Sequence, residues 1–257
     1  MTKKSVAAFA RKIKAKHLFD AIALILLLIV LITVGTDPAR ATSLVPIVLS
    51  SLLSTFLGAS FAFHLNTQKE LVKEHEHRVA ALQTALFILA QQINAVGGSW
   101  VSIAKYEKQP HRWVNMPAMG QPEYKNMQQD FPSLAFILAN DPQLLLDLSV
   151  EDERFLQCIR SMGERADFYT KEVHEAIEQA RAGKTRIDID ELRSRLGDRL
   201  FIGAKSRTDD VFLHVSESLK SLPAVASRVR AYAKATYPDE KFLNVELDLG
   251  AVDSDKE

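Results

Sequence analysis

The side chains with the clearest metal-binding chemistry stand together in the run Glu74-His75-Glu76-His77. Imidazole and carboxylate groups are ligands for zinc and other transition metals. The run lies in a segment whose pattern predicts a helix, and neighbouring residues on a helix point in different directions. His75 and His77 therefore do not converge on one ion, and we expect no metal site here.

The nearest fragment to a phosphate-binding loop is Gly183-Lys184-Thr185. It lacks the preceding strand and the first glycine of that motif, so it predicts only the C-terminal cap of a helix. The sequence also lacks dinucleotide-binding, zinc-protease and serine-hydrolase signatures. We therefore expect a non-enzymatic protein with no cofactor.

Arg207 and His214 are separated by six residues, beginning with Thr208-Asp209-Asp210. This spacing resembles the R-x4–6-H pattern of the HEPN-type ribonucleases, which are helical proteins. The resemblance covers eight residues and implies that the arginine and the histidine would cleave RNA at a dimer interface. The alternative interpretation is an exposed arginine and an interfacial histidine on an ordinary helix face.

Net charge and cysteine content bear on nucleic-acid binding and on disulfide formation. The formal net charge is zero, so the chain has no overall positive charge to attract nucleic acid, and we expect no nucleic-acid partner. The single cysteine, Cys158, cannot form an intramolecular disulfide. Its helical flanks predict a small buried core residue.

Two apolar segments, 18–35 and 44–65, predict transmembrane helices. In hydrocarbon the backbone must satisfy its own hydrogen bonds, so both spans must be helical. The short connector between them contains the helix breakers Gly35 and Pro38, which predicts an antiparallel pair. The predicted fold class is all-α, with an N-terminal two-helix transmembrane hairpin followed by a cytoplasmic helical bundle.

Basic residues predict the orientation of this hairpin. Residues 1–17 form a basic amphipathic segment with six lysines and arginines, whereas the connector has only Arg40. Basic residues return after the second span, at Lys69, Lys73 and Arg78. We therefore expect a multi-pass protein of the bacterial inner membrane with both termini in the cytoplasm. The alternative is a signal peptide cleaved at Ala39-Arg40-Ala41.

Small residues recur at four-residue steps in the second span, at Ser50, Ser54, Gly58 and Ala62. Small side chains at this spacing let two helix backbones approach closely. The stripe predicts packing of the second span against the first. The alternative is packing of several second spans against each other, where the hydroxyl groups would line a narrow polar path.

The cytoplasmic α-helical domain is predicted at 66–238, and an acidic, flexible tail at 239–257. Apolar residues recur by three and four from Val72 to Val96, and Gly97-Gly98 should end that helix. Asn140-Asp141-Pro142 signals a later helix start. An irregular loop is predicted at 109–129. Its large side chains are candidates for docking a protein partner or for packing into the core: Trp113, Met116, Met119 and Tyr124.

These features favour a membrane protein whose cytoplasmic domain senses or binds a protein partner, or self-associates, and couples this to the hairpin in the lipid bilayer. The layout resembles bacterial two-span proteins, including membrane-perturbing effectors of phage-defence systems. A membrane-perturbing or pore-forming effector of a stress or defence system is therefore one alternative. A membrane-tethered HEPN-like ribonuclease and a passive scaffold or accessory subunit are the others.

Overall fold

The computed structural model describes residues 38–119, 127–181 and 187–245 of the chain. These residues form helices and irregular segments without a strand, so the all-α prediction is confirmed for this part of the protein. The chain divides into two compact units between Lys73 and Glu74. The α-helices are α1 (Pro38–Ile103), α2 (Arg112–Asn115), α3 (Phe131–Leu134), α4 (Pro142–Phe168), α5 (His174–Arg181) and α6 (Ile189–Thr236).

Helix α1 begins at Pro38, six residues before the predicted start of the second span at Leu44. The predicted connector is therefore wrong from Pro38 onward. Proline suits the first turn of a helix, because its φ is already helical and its missing N–H would have no partner there. The first predicted span, 18–35, and the basic segment 1–17 lie outside the described residues.

Helix α1 also continues past Gly97-Gly98 to Ile103, so its predicted end is wrong. Each glycine in a helix costs about 1 kcal/mol relative to alanine. Val96 and Ile103, on either side of the pair, are fully buried. Burying two such side chains is worth about 1.5–3 kcal/mol each, which outweighs the glycine penalty.

Helix α4 starts where its sequence signal predicts. The carboxylate of Asp141 accepts a hydrogen bond from the Leu144 N–H at 2.9 Å, and Pro142 follows as the first helical residue. The helix passes into a π-helical segment, Tyr169–Val173, which leads directly into α5. Single π-helical turns within α-helices are rare and are often found near functional sites.

Helix α6 is long and bent. Asp188 caps its N-terminus by accepting from the Asp190 N–H at 2.8 Å, and Gly197 interrupts the helical backbone with a φ of 74°. That φ is in the left-handed region, which glycine tolerates without strain. Pro223 lies inside the helix, which runs on to Thr236.

The core of the unit that begins at Glu74 forms where α1, α4 and α6 meet. Residues from Val79 to Ile103 of α1 pack in one apolar cluster with residues of α4 and α6. A smaller cluster joins α2, α5 and the first half of α6. Tyr237 and Phe242 are also buried in the larger cluster. The predicted flexible tail is therefore packed at its start, and residues 246–257 lie outside the described part.

Candidate functional site

The most unusual surface of the protein is the first half of α1. Large apolar side chains between Ile47 and Val72 are 40% to 66% exposed, and no residue between 50 and 78 is buried. A soluble monomer rarely exposes so large a continuous apolar patch. The exposed side chains are Ile47, Leu53, Phe56, Leu57, Phe61, Phe63, Leu65, Leu71 and Val72.

The angular distribution of these side chains separates a lipid-facing helix from a coiled coil. At 100° per residue, the nine exposed side chains occupy an arc of about 200°, and the half-buried Leu52 lies about 20° outside it. A coiled-coil seam needs a much narrower stripe. The remaining arc carries small or hydroxyl-bearing residues: Ser51, Thr55, Gly58 and Ala62. A wide apolar arc beside a small-residue arc is the pattern of a helix that faces lipid on one side and another helix on the other.

Among the described residues, one helix is long and apolar enough to cross a membrane, within Ser50–Tyr106. Half of its most apolar 18-residue window is buried. Because burial in α1 begins only at Val79, that window must include the packed seam of the core rather than the exposed stretch alone. The exposed stretch from Ile47 to Leu65 is therefore the better candidate for membrane contact.

The predicted packing residues are all on the surface of α1. Ser50, Ser54, Gly58 and Ala62 are exposed. A Cβ built on Gly58 would meet no side chain within 4 Å in the described part of the chain. The Ser50 hydroxyl donates to the Ile47 carbonyl at 2.9 Å, so it is satisfied within its own helix. Ser50 and Ser54 lie among the large apolar side chains, whereas Gly58 and Ala62 lie on the small-residue arc, where the Thr55 hydroxyl donates to the Ser51 carbonyl at 2.8 Å.

Arg207 and His214 lie two turns apart on α6 and share a face of that helix. The Arg207 guanidinium stacks on the Phe168 ring, 4.1 Å from its centroid, and donates weakly to the Gly203 carbonyl. This stacking accounts for the position of Arg207 without a substrate. The ribonuclease alternative stays a prediction, and His214→Ala should abolish RNA cleavage without changing membrane fractionation if it is right.

The two histidines of the 74–77 run diverge, as the sequence predicts. His75 lies 3.4 Å from Glu240 and packs edge-on against Tyr237. His77 instead lines a cavity between α1 and the start of α3. Within the described ranges, no group of three or more His, Cys, Asp or Glu side chains is placed to hold a metal ion.

The four predicted docking residues of the loop differ in their burial. Trp113 and Met116 are only 3% and 1% exposed, and Trp113 packs edge-on against Phe201 at 5.2 Å. Met119 packs partly buried against the larger core cluster, and Tyr124 lies outside the described residues. Two of the four side chains thus fill the core, which was the alternative interpretation of this loop.

A buried arginine holds this loop in place. Arg165 donates to the carbonyls of Met116 and Pro117 at 2.5 and 2.7 Å and to the Thr208 hydroxyl at 3.1 Å. Burial lowers the pKa of Arg165 to about 10. The sequence places Arg165 on a charged helix face, and nothing in its local pattern distinguishes it from its exposed neighbours.

Sequence reasoning also missed a buried polar cluster formed by Gln92, Gln129 and Asp152. Gln92 Nε2 donates to Asp152 Oδ1 at 2.9 Å, and Gln129 Nε2 donates to the Ala85 carbonyl at 3.3 Å. Burial raises the pKa of Asp152, although the Gln92 side chain and the Gln129 backbone N–H both donate to it. The only sequence signal for this cluster was Gln92, a polar residue on the apolar face of α1.

This cluster lies behind a cavity of about 200 Å³ between α1 and the start of α3. The cavity is lined by His77, Ala80, Ala81, Thr84 and Ala85 of α1, and by Gln129, Asp130, Ser133 and Leu134.

No protein-family model, curated protein or solved structure matches this chain. The exposed half of α1 is therefore the feature that supports a functional proposal.

Proposed function

We propose that this chain is an integral protein of the bacterial inner membrane whose cytoplasmic helical domain binds a protein partner. The observation that carries the proposal is the exposed apolar arc of α1 between Ile47 and Val72. Full burial of one large apolar side chain is worth about 1.5–3 kcal/mol. Leaving nine of them largely exposed to water would cost on the order of 10 kcal/mol, which is comparable to the whole stability of a domain.

The first span of the proposed hairpin is residues 18–35, whose apolar run is known from the sequence alone. The small-residue arc of α1 at Ser51, Thr55, Gly58 and Ala62 is the surface against which that span would pack. Basic residues in 1–17 and at Lys69 and Lys73 favour placing both ends of the hairpin in the cytoplasm. The unit from Glu74 onward would then be the partner-binding domain.

Carbonate extraction combined with reporter fusions tests this topology. We expect the protein to remain in the membrane pellet after alkaline carbonate. A fluorescent protein fused after Glu257 should be bright, and alkaline phosphatase at the same site should be inactive. Release by carbonate, or an active phosphatase at the C-terminus, would contradict the proposal.

A second candidate function is perturbation of the membrane by several copies of the chain. The observation that favours it is the open space above Gly58, which leaves the small-residue arc free for another α1. Copies of this arc in contact would place Ser and Thr hydroxyls along a narrow path.

Membrane potential in cells expressing the protein tests this candidate. Induction should depolarise the cells, and Gly58→Leu should abolish the effect because leucine blocks close helix approach. Phe61→Leu is the matched control, since it preserves an apolar residue on the large-residue arc. Unchanged potential on induction, or equal depolarisation by Gly58→Leu, would exclude this function.

A further inference from the structure

The chain turns back along α1 after α6 ends. Glu240 lies 3.4 Å from His75, close to the start of the second compact unit. The next residue, Lys241, accepts a hydrogen bond at its carbonyl from Gln83 Nε2, at 3.3 Å. Gln83 lies about 12 Å further along α1 than His75, because each helical residue rises about 1.5 Å. The C-terminal chain therefore runs in the same direction as α1, away from the start of the unit.

Ahead of this chain lies a groove between α1 and α6. The two helices are antiparallel, because His75 and Trp100 of α1 contact Tyr237 and Phe212 of α6, in that order. At 100° per residue, Leu219 lies within about 20° of Phe212 and Tyr237 on α6. Leu219 therefore faces the same groove, which we call the α1–α6 groove.

The α1–α6 groove is apolar and only partly filled. Trp100 and Leu219 pack partly buried against the larger core cluster, and Val101 is 54% exposed. Val101 lies on the same line of α1 as Gln83, because the two residues are separated by five whole turns at 100° per residue. A chain that starts beside Gln83 and follows α1 therefore passes over Val101.

The residues that follow the described chain have the pattern of a strand with one apolar side. Val245 packs against the larger core cluster. The next four residues are Glu246-Leu247-Asp248-Leu249, in which acidic and apolar side chains alternate. In an extended chain, residues two positions apart face the same side. Leu247 and Leu249 would then face the side on which Val245 meets the core.

The lengths of the groove and of the chain also agree. Val101 lies about 27 Å beyond Gln83 along α1, at about 1.5 Å per residue. Leu249 lies about 26 Å beyond Lys241 if the chain is extended, at about 3.3 Å per residue. Leu249 and Val101 would therefore lie at the same level of the groove.

The charges at the far end are complementary. Residues 253–257 contain three acidic side chains and one lysine. Lys105 and Lys108 follow α1 and are exposed, and within the described ranges neither forms an ion pair. Glu107 between them offsets only part of their charge. The chain end can reach this region, because an extended chain advances about twice as far per residue as a helix.

We propose that residues 246–257 dock in the α1–α6 groove. Leu249 packs beside Val101, and the terminal carboxylates lie beside Lys105 and Lys108. Docked in this way, the C-terminal segment closes the groove, and a protein partner of this face must first displace it. The inference does not depend on the proposed membrane topology.

Cross-linking of cysteine pairs in the full-length protein in nanodiscs tests the docking. A short bis-maleimide should join Val101→Cys to Leu249→Cys within one chain, as measured by mass spectrometry. The matched control pairs Leu249→Cys with Phe87→Cys, because Phe87 is 56% exposed but lies about 21 Å nearer the start of α1. The control should react at least about tenfold more slowly, because docking raises the effective concentration of one thiol beside the other. Equal rates, or links only between two chains, would overturn the proposal.

Maleimide labelling of single cysteines provides a second measurement. Cys158 is fully buried and gives no background. Val101→Cys should react about fivefold or more slowly than Phe87→Cys, because only the undocked fraction of the chain exposes it. Adding Leu247→Asp and Leu249→Asp should raise the Val101→Cys rate to that of Phe87→Cys and leave Phe87→Cys unchanged. Equal labelling of the two cysteines before these changes, or no acceleration after them, would contradict the docking.

Discussion

Helix α1 has two apolar regions that differ in how far their large side chains are exposed. From Ile47 to Val72 nine large apolar residues are exposed. From Val79 to Ile103 they recur by three and four and are buried against α4 and α6. Apolar content alone does not separate the two regions, because the most apolar window within Ser50–Tyr106 is half buried. The exposure of the large side chains does.

A run of polar residues separates the two regions. Residues 73–78 are Lys-Glu-His-Glu-His-Arg, and the division between the two compact units falls within it. Charged and imidazole side chains are costly in hydrocarbon but favourable at the membrane–water interface. The polar run is thus what we expect between a membrane-embedded stretch and a water-soluble core.

The largest expected effect comes from placing charge in the exposed stretch. Each arginine at the centre of a transmembrane helix costs about 2.5–3.5 kcal/mol, so Leu53→Arg with Leu57→Arg should cost about 5–7 kcal/mol of insertion free energy. We expect residues 44–65 of the double variant not to span the membrane, so that alkaline phosphatase fused after Glu257 becomes active while span 18–35 keeps the protein in the membrane pellet.

The matched control for this double variant is Phe87→Arg. Phe87 is also large, apolar and exposed on α1, but it lies in the seam half of the helix. Alkaline phosphatase fused after Glu257 in this control variant should stay inactive, as in the wild type. If the two variants behave alike, the two halves of α1 do not differ in their environment.

Shortening a buried side chain in the second apolar region of α1 should have the next largest effect. Leu86 is fully buried and its neighbour Phe87 is exposed. Leu86→Ala should lower the free energy of unfolding by about 2–5 kcal/mol, because it removes buried surface and leaves a cavity. Phe87→Ala should change it by less than about 0.5 kcal/mol. Urea unfolding followed by circular dichroism measures both, and similar losses in the two variants would contradict the assigned core.

Two glycines of α1 give a smaller and more selective test. A Cβ on Gly98 or on Gly58 would meet no side chain within 4 Å among the described residues. Gly98→Ala should therefore stabilise the protein by about 0.5–1 kcal/mol through helix propensity. Gly58→Ala should gain nothing if the small-residue arc packs against another helix. A Gly58→Ala stabilisation equal to that of Gly98→Ala in thermal unfolding would mean that no helix approaches Gly58.

The smallest expected effect is at Cys158, which should not react at all in the folded protein. Its side chain is fully buried, and burial raises its pKa to about 12. At pH 7 the thiolate fraction is then on the order of 1 in 10⁵. Maleimide labelling followed by mass spectrometry should show modification only after unfolding in denaturant. Labelling of the native protein at neutral pH would place Cys158 outside the core.

Local patterns predicted the all-α class, the Asn140-Asp141-Pro142 helix start and the buried seam. They failed where packing outweighs local preference. Gly97-Gly98 is a strong stop signal, yet α1 passes through it because the flanking Val96 and Ile103 are buried. No local rule distinguishes the buried Arg165 from exposed arginines of the same helix, since its partners at Met116, Pro117 and Thr208 are distant in sequence.

The exposed stretch of α1 and the cavity also differ in whether the sequence alone could predict them. The exposed apolar stretch of α1 could be predicted from the sequence, because it depends on the composition of one continuous segment. The cavity could not, because it joins residues of α1 to residues near Gln129, which are about 45 positions apart. Trp113 and Met116 were docking candidates, but their burial depends on contacts with α6 and with the larger cluster.

Single-cysteine labelling at three exposed phenylalanines of α1 tests the central claim most directly. Phe56, Phe61 and Phe87 are 63%, 66% and 56% exposed, so they are nearly equal in the isolated chain. The buried Cys158 provides an unreactive background. In native membranes, a water-soluble maleimide should label Phe87→Cys and spare Phe56→Cys and Phe61→Cys until detergent is added. Equal labelling of all three in intact membranes would contradict the assignment of the first half of α1 to the bilayer.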